Sequence, residues 1–285
     1  MTLATTLDLL TAARAAGGAV AALNVVSLEH AEAIVAGAER AGAVVILQVS
    51  ENTVAYHGGR IEPIGRACAA LAETAGVPVA LHLDHATTRG LAERAVAVGF
   101  SSVMIDTSEL PIDEHTRLTA EHAAWAHSAD RGAALEAALG VVGGKDGLTT
   151  TVDGLTDPDA ARAFVAATGV DALAVAVGTS HHMATRTASI DLDLIARLRA
   201  AVDVPLVLHG SSGVPDDDLV EAVRRGITKV NLATQLNAAF TGVLRDTLAA
   251  AHDALDPRPA LAAAREAVAA VVADRLHLLA GAGLS

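Results

Sequence analysis

The feature that most constrains this chain is a rhythm. Short apolar runs return at residues 19–24, 44–49, 77–83, 102–105, 133–137, 172–177, 205–209 and 229–232, separated by longer, Ala-rich amphipathic stretches. Apolar runs of this length without polar alternation suit strands covered on both faces, whereas the stretches between them carry a helical period. Helix starts are marked, as at Ser27-Leu28-Glu29-His30 before 31–42 and at Asp157-Pro158 before 159–168. Gly42, Gly76, Gly99, Gly132, Gly169 and Gly226 stand just ahead of the next strand, where a left-handed helix cap is expected. Strand, loop and helix repeated eight times predict an α/β protein whose parallel sheet closes into a (β/α)8 barrel, in preference to an open doubly wound sheet.

A barrel of this kind takes ~250 residues as one unit, so the 285 residues are expected to form a single domain over 1–285. A loop at 253–259 precedes a last helical stretch, 260–281, read as a C-terminal appendage for packing or oligomer contacts. Hydrophobic residues make up 52% of the chain and aromatics only 2%, so the core must be built of Ala, Val, Leu and Ile. With 33 acidic against 20 basic residues, a nucleic-acid or anionic-membrane partner held by a basic face is not expected. No charge-free apolar run reaches the ~18 residues of a membrane span, and the N-terminal stretch meets Asp8 early without a basic region; a cytoplasmic protein is expected. Cys68 is the one cysteine, which excludes an internal disulfide and a Cys-based zinc knuckle.

Chemistry in such a barrel belongs to the C-terminal strand ends, so polar residues there carry the functional reading. The third strand runs into Leu81-His82-Leu83-Asp84-His85, the sixth into Gly178-Thr179-Ser180-His181-His182, and the seventh into Leu208-His209-Gly210-Ser211-Ser212-Gly213. Imidazoles converging on one mouth beside an acid are what a catalytic zinc site requires, with an open position for substrate. Alternation points His82 into the barrel as a structural residue, while His85 lies past the strand end. Asp84 shares the parity of His82 but sits nearer the mouth, where it can serve as general acid/base or orient a histidine. Asp106 and Glu136 end strands four and five, and buried there they require a cation, a His or an Arg. Gly143-Gly144-Lys145-Asp146-Gly147 has the small-residue content of a mobile loop or a solvated turn. Gly210-Ser211-Ser212-Gly213 before Pro215 fits an anion-binding nest.

Taken in order, these motifs, with Glu136-Ala137-Ala138-Leu139-Gly140 and Lys229-Val230-Asn231-Leu232-Ala233-Thr234, resemble the class II, zinc-dependent fructose-bisphosphate and tagatose-bisphosphate aldolases over about residues 9–248. The resemblance implies zinc on His85, His181 and His209, with Asp84 handling the proton on the aldehyde-side oxygen and Asp146 as a catalytic acid of the loop. Asp106 and Glu136 match acids around the metal that can take a second divalent or a monovalent cation. Asn24, Ser50 and Asn231 match residues of the dihydroxyacetone-phosphate pocket; Gly210, Ser212 and Thr234 match phosphate contacts, with Ser211 and His182 beside them. The implied protein is a ketose-phosphate or ketose-bisphosphate lyase acting on a sugar phosphate as a homodimer or homotetramer. A three-His metal can hold the charge left when the C3–C4 bond breaks. The only lysines, Lys145 and Lys229, show no signature of a desolvated Schiff-base amine.

The chain departs from the family at both phosphate ends. His182 and Thr185 replace the usual Gly and Lys, although Arg186 follows; Gln235 and Asn237 replace an acid and a far-end base; Asp146 replaces a loop Glu. Such departures point to a changed substrate. Two competing readings are a non-catalytic barrel acting as scaffold or subunit, and a metal-dependent sugar isomerase or epimerase.

Overall fold

The computed structural model describes residues 3–128, 132–140, 154–179, 186–253 and 255–282. Eight parallel strands close in chain order into a barrel: β1 (Val20–Asn24), β2 (Val45–Ser50), β3 (Val79–Ala86), β4 (Ser102–Ile105), β5 (Ala134–Leu139), β6 (Ala172–Val175), β7 (Leu206–Leu208) and β8 (Ile227–Leu232). Helix α1 (Thr6–Ala15) precedes β1, and the strands are followed in turn by α2 (Leu28–Ala41), α3 (Glu51–Tyr56) with α4 (Ile61–Thr74), α5 (Arg89–Ala97), α6 (Ile112–Ser128), α7 (Pro158–Thr168), α8 (Leu192–Ala201), α9 (Asp216–Arg225) and α10 (Thr234–Ala250). The last helix, α11 (Arg258–Ala282), is the C-terminal one.

The expected caps set several helix bounds. Asp157 accepts hydrogen bonds from the amides of Asp159 and Ala160 at the start of α7, with Pro158 in its first turn. Gly42 and Gly169 end α2 and α7 at φ 59° and 68°. Gly76 does not play this part. α4 ends one residue earlier on Ala75 in extended backbone, so no left-handed residue is needed, and the Gly76 amide donates to Glu39 Oε1 at 2.8 Å.

Strand alternation sorts the buried residues into two cores. Odd-numbered residues of β1 to β5, such as Leu23, Leu47, Leu81, Val103 and Leu135, pack outward against the helices. Even-numbered partners, including Val20, Ala22, Ile46, Ala80, Met104 and Ala138, fill the barrel interior together with Leu9 and Leu10 of α1, which plugs the N-terminal end. The polar residues of the same inward rows then stack above this apolar floor, and that stacking positions the site.

Helix α11 is not a loose appendage. Its backbone lies against α2 so closely that a Cβ on Gly37 would stand 2.6 Å from Val272 Cβ, which explains why a residue without a side chain occupies that point. Val268, Val272, Leu276 and Leu279 of α11 are buried there. Among the described residues no helix is long and apolar enough to cross a membrane.

Candidate active site

Strand β3 runs to Ala86 and not to Leu83, so His85 belongs to the strand. By alternation its odd number would send the ring outward among the helices. Two local distortions prevent this. The register with β4 shifts between Leu83 and Ala86, and His85 has φ 51°, the only positive φ among described residues other than glycine. A bulge re-aims a side chain, and a left-handed histidine costs on the order of 1–3 kcal/mol that the surroundings must offset. The result is that Asp84 and His85, consecutive in sequence, face the same point.

His209 comes to that point from the end of β7. Its Nδ1 lies 3.2 Å from His85 Nε2, and one ligand atom from each of Asp84, His85 and His209 falls within 4.8 Å of the others. The far nitrogens decide the tautomers. His85 Nδ1 is 2.8 Å from Asp106 Oδ2, and His209 Nε2 is 3.0 Å from Glu136 Oε1. Ionised carboxylates only accept, so both far nitrogens carry protons, and each histidine turns an acceptor nitrogen toward the other. Two facing acceptors, with the buried Oδ1 of Asp84 making no hydrogen bond, form a donor set that a divalent cation fits. His85 and His209 are therefore first candidates to hold such an ion.

The charges around this point are heavily buried. Burial pushes the Asp84 carboxyl up, but His85, His209, Lys229 and His82 together bring it below the usual carboxylate range. Glu136 is driven well below its ordinary value against the same burial, chiefly by Lys229. Asp106 is likewise lowered against burial, by the hydrogen bonds from His85 and Ser108. His82 is pushed down to about 3, first by burial and then by Lys229. It points inward as expected: its Nδ1 lies 2.7 Å from Ser102 Oγ, and Ser102 in turn donates to Thr6 Oγ1 at 2.8 Å.

Comparison with known proteins now bears on these residues. The family model for class II fructose-bisphosphate aldolase matches residues 4–284. The chain belongs to the class II fructose-bisphosphate aldolase family. It is 30% identical to the YdjI aldolase of Escherichia coli K12, with TM-score 0.85 and 97% of each chain covered. It is 31% identical to a provisionally assigned fructose-1,6-bisphosphate aldolase of Coccidioides immitis, with TM-score 0.85 and coverage of 98% and 96%. A fructose-bisphosphate aldolase of Campylobacter jejuni, 22% identical with TM-score 0.79 and coverage of 96% and 93%, shares the fold.

Around the histidines of this family member, Asn24, Ser50 and Asn231 lie on the inward rows of β1, β2 and β8. Asn24 accepts from Gln48 Nε2 at 2.9 Å, and Asn231 Nδ2 is 3.1 Å from His209 Nε2. Ser50 caps α3 through a 3.2 Å bond from the Thr53 amide. After His209 the chain turns at Gly210, φ 68°, into a single 3-10 turn at Ser211–Gly213. Ser211 is fully buried with its hydroxyl on Leu208 O at 2.9 Å, so its side chain is turned back to β7, whereas Ser212 keeps slight exposure. Thr234 opens α10, and Gln235 beside it donates to Ser212 O at 3.1 Å, tying the helix start to the turn. His181, His182, Thr185, Lys145 and Asp146, and the loop expected to be mobile, lie outside the described residues.

Two sequence expectations change. Arg186 is not directed to an anion pocket: its Nη1 lies 2.5 Å from Asp216 Oδ1, a carboxylate that also takes Arg275. Lys229, read as carrying no mark of a desolvated amine, is completely buried with its Nζ 2.7 Å from Glu136 Oε2. Sequence reasoning also passed over Gln48, 1% exposed on the inward row of β2 with an unbonded Oε1. Its signal was present, since a polar residue two before Ser50 shares the inward parity of Ser50.

Proposed function

We propose that this chain is a divalent-metal-dependent aldolase that reversibly cleaves the C3–C4 bond of a ketose phosphorylated at its dihydroxyacetone end, giving dihydroxyacetone phosphate or a close analogue and an aldehyde. The observation that carries this reading is the pair of facing acceptor nitrogens, His85 Nε2 and His209 Nδ1, 3.2 Å apart beside Asp84. His85 and His209, joined by His181 from the segment after β6, would hold the ion, and all-imidazole ligation suits zinc. Bound there, the ion supplies a Lewis acid for negative charge that grows on substrate oxygen as the bond breaks. Asp84, buried and ionised, takes the proton from the C4 hydroxyl. Asp106 and Glu136 serve as orienting partners of the two histidines, because their oxygens already face His85, Ser108, His209 and Lys229. Asn24, Ser50 and Asn231 orient substrate hydroxyls, and Asp146 handles the proton at C3.

The phosphate sits, in this reading, at the Gly210–Ser212 turn and the N-terminus of α10 at Thr234, where a helix end favours an anion. A lysine amine as nucleophile is disfavoured, since Lys229 is committed to Glu136. At the far end Asn237 is exposed on the first turn of α10 and brings no charge. A substrate with a neutral far end should therefore be cleaved better than fructose 1,6-bisphosphate, by about ten- to a hundredfold in kcat/KM, the worth of one charge-assisted hydrogen bond to a phosphate. The setting is a cytoplasmic homodimer or homotetramer built of one domain over 1–285.

The deciding experiment follows aldol cleavage of a panel of ketose mono- and bisphosphates, with release of dihydroxyacetone phosphate as readout, before and after chelation. Cleavage that is lost on chelation and restored by Zn²⁺ is expected. Isomerisation without cleavage, or full cleavage by metal-free protein, would overturn the reading.

A further inference from the structure

The barrel interior holds an ion pair that none of the proposed chemical steps uses. Lys229 is the largest fully buried side chain of the molecule among the described residues, and it stands one inward position below Asn231 on β8. Its Nζ meets Glu136 Oε2 at 2.7 Å, while the other oxygen of the same carboxylate meets His209 Nε2 at 3.0 Å. Glu136 is itself 3% exposed. Neither group has an obvious packing reason to be charged: Ala22, Ala138, Ala174 and Met104 show that the same interior rows are filled readily by apolar residues. Taking an ammonium and a carboxylate out of water is expensive, and an apolar pair of like volume is often the more stable solution. A pair kept in this place therefore needs a use.

The geometry points to Lys229 as a positioning residue for the ion site: by holding Glu136 Oε2 it turns Oε1 to His209 Nε2, and so fixes which nitrogen of His209 faces His85. The proposal rests on the ion-binding reading of His85 and His209 given above. The chain of contacts is direct, from Lys229 to Glu136 to His209, and each link is a single hydrogen bond between groups that are at least 97% buried. Without Lys229, the carboxylate keeps no cation on Oε2; His82 Nε2 stands 3.7 Å away and makes no hydrogen bond to it. The His82 ring cannot replace the ammonium, because its Nδ1 proton goes to Ser102, whose own proton goes to Thr6, which leaves Nε2 an acceptor. Free rotation of Glu136 would then loosen His209 about its ring axis.

The test measures Zn²⁺ affinity of the full chain by competition with a chromophoric chelator, alongside thermal stability. Lys229→Met is expected to weaken Zn²⁺ binding by about ten- to a hundredfold, the range for removing a partner of a metal-bound histidine. Because this variant leaves Glu136 buried without its cation, the double variant Lys229→Met/Glu136→Gln removes both charges; it is expected to recover stability yet bind Zn²⁺ as weakly as the single variant. A folded single or double variant that binds Zn²⁺ within twofold of the parent overturns the proposal, since a purely structural pair would change the melting temperature and leave affinity alone. If the parent itself takes up no Zn²⁺, the ion-site reading fails first and the role of Lys229 with it; if the parent binds and the variants match it, only the role of Lys229 fails.

Discussion

Gly178 offers a test in which the structure sets the size of the effect. It has φ 108°, directly after the apolar run 172–177 and three residues before His181. A Cβ built on it would stand 2.4 Å from Ser189 O, a backbone atom held by its chain neighbours and unable to rotate away. Ordinary carbon–oxygen contact is about 1 Å longer, so Gly178→Ala must shift one of the two segments as well as place alanine in an unfavourable backbone region. Gly42 is the internal control: it has φ 59° with nothing within 4 Å of its Cβ, so Gly42→Ala meets backbone strain alone. That strain costs about 1–2 kcal/mol, and overpacking adds about 1–3 kcal/mol at Gly178. At about 2 °C per kcal/mol for a protein of this size, Gly42→Ala should melt about 2–4 °C lower and Gly178→Ala about 4–10 °C lower. Differential scanning calorimetry measures both, and Zn²⁺ content measured in parallel should fall in Gly178→Ala only, because its displacement reaches the segment that carries His181. Equal melting temperatures in the two variants would refute the close-approach argument. An unchanged Zn²⁺ content in a destabilised Gly178→Ala would refute the link to the ion site.

Other consequences are simpler to state. Asp84→Ala should keep its Zn²⁺ and fold but lose about 10²–10⁴ in turnover, as expected of a positioned acid/base; loss of metal with turnover retained would make Asp84 a ligand or an orienting group. Asp106→Ala removes the acceptor 2.8 Å from His85 Nδ1 and should lower Zn²⁺ affinity about ten- to a hundredfold, which chelator competition reads directly. His30 is buried against Phe240, with Ser27 on its Nδ1 and Glu29 nearby, and burial lowers its ring below the usual histidine value despite the opposing pull of Glu29. A depressed folded value makes its contribution to stability complete above about pH 6.5, where the unfolded histidine is neutral, and lost as pH falls through the folded value. Melting temperatures at pH 7.5 and 5.5 should accordingly fall further apart in the parent than in His30→Gln, and identical pH slopes would count against it.

Periodicity and parity are local properties, and they carried most of the architecture. Eight apolar runs alternating with amphipathic stretches specify a parallel sheet under helices, because a strand buried on both faces and a helix buried on one leave different periods in a sequence. Parity on β1, β2 and β8 also placed Asn24, Ser50 and Asn231 on the inward rows, and the strand-end motifs named residue types suited to an ion. What the sequence could not reveal depends on contacts between residues far apart in the chain or on departures from regular geometry. His85 faces inward only because β3 is bulged and left-handed there, and its position number taken alone argues for the opposite face. Lys229 finds Glu136 across 93 residues of chain, and nothing local to either distinguishes a solvated lysine from a desolvated one. Arg186 meets Asp216 because the segment after β6 lies alongside the turn after β7, joined by a 2.9 Å bond from the Ala188 amide to Gly213 O. The sequence determined the barrel and the stock of chemical groups at its mouth; tertiary structure decided which acid holds which histidine, because that choice follows from how strand register around a closed sheet brings distant inward rows together.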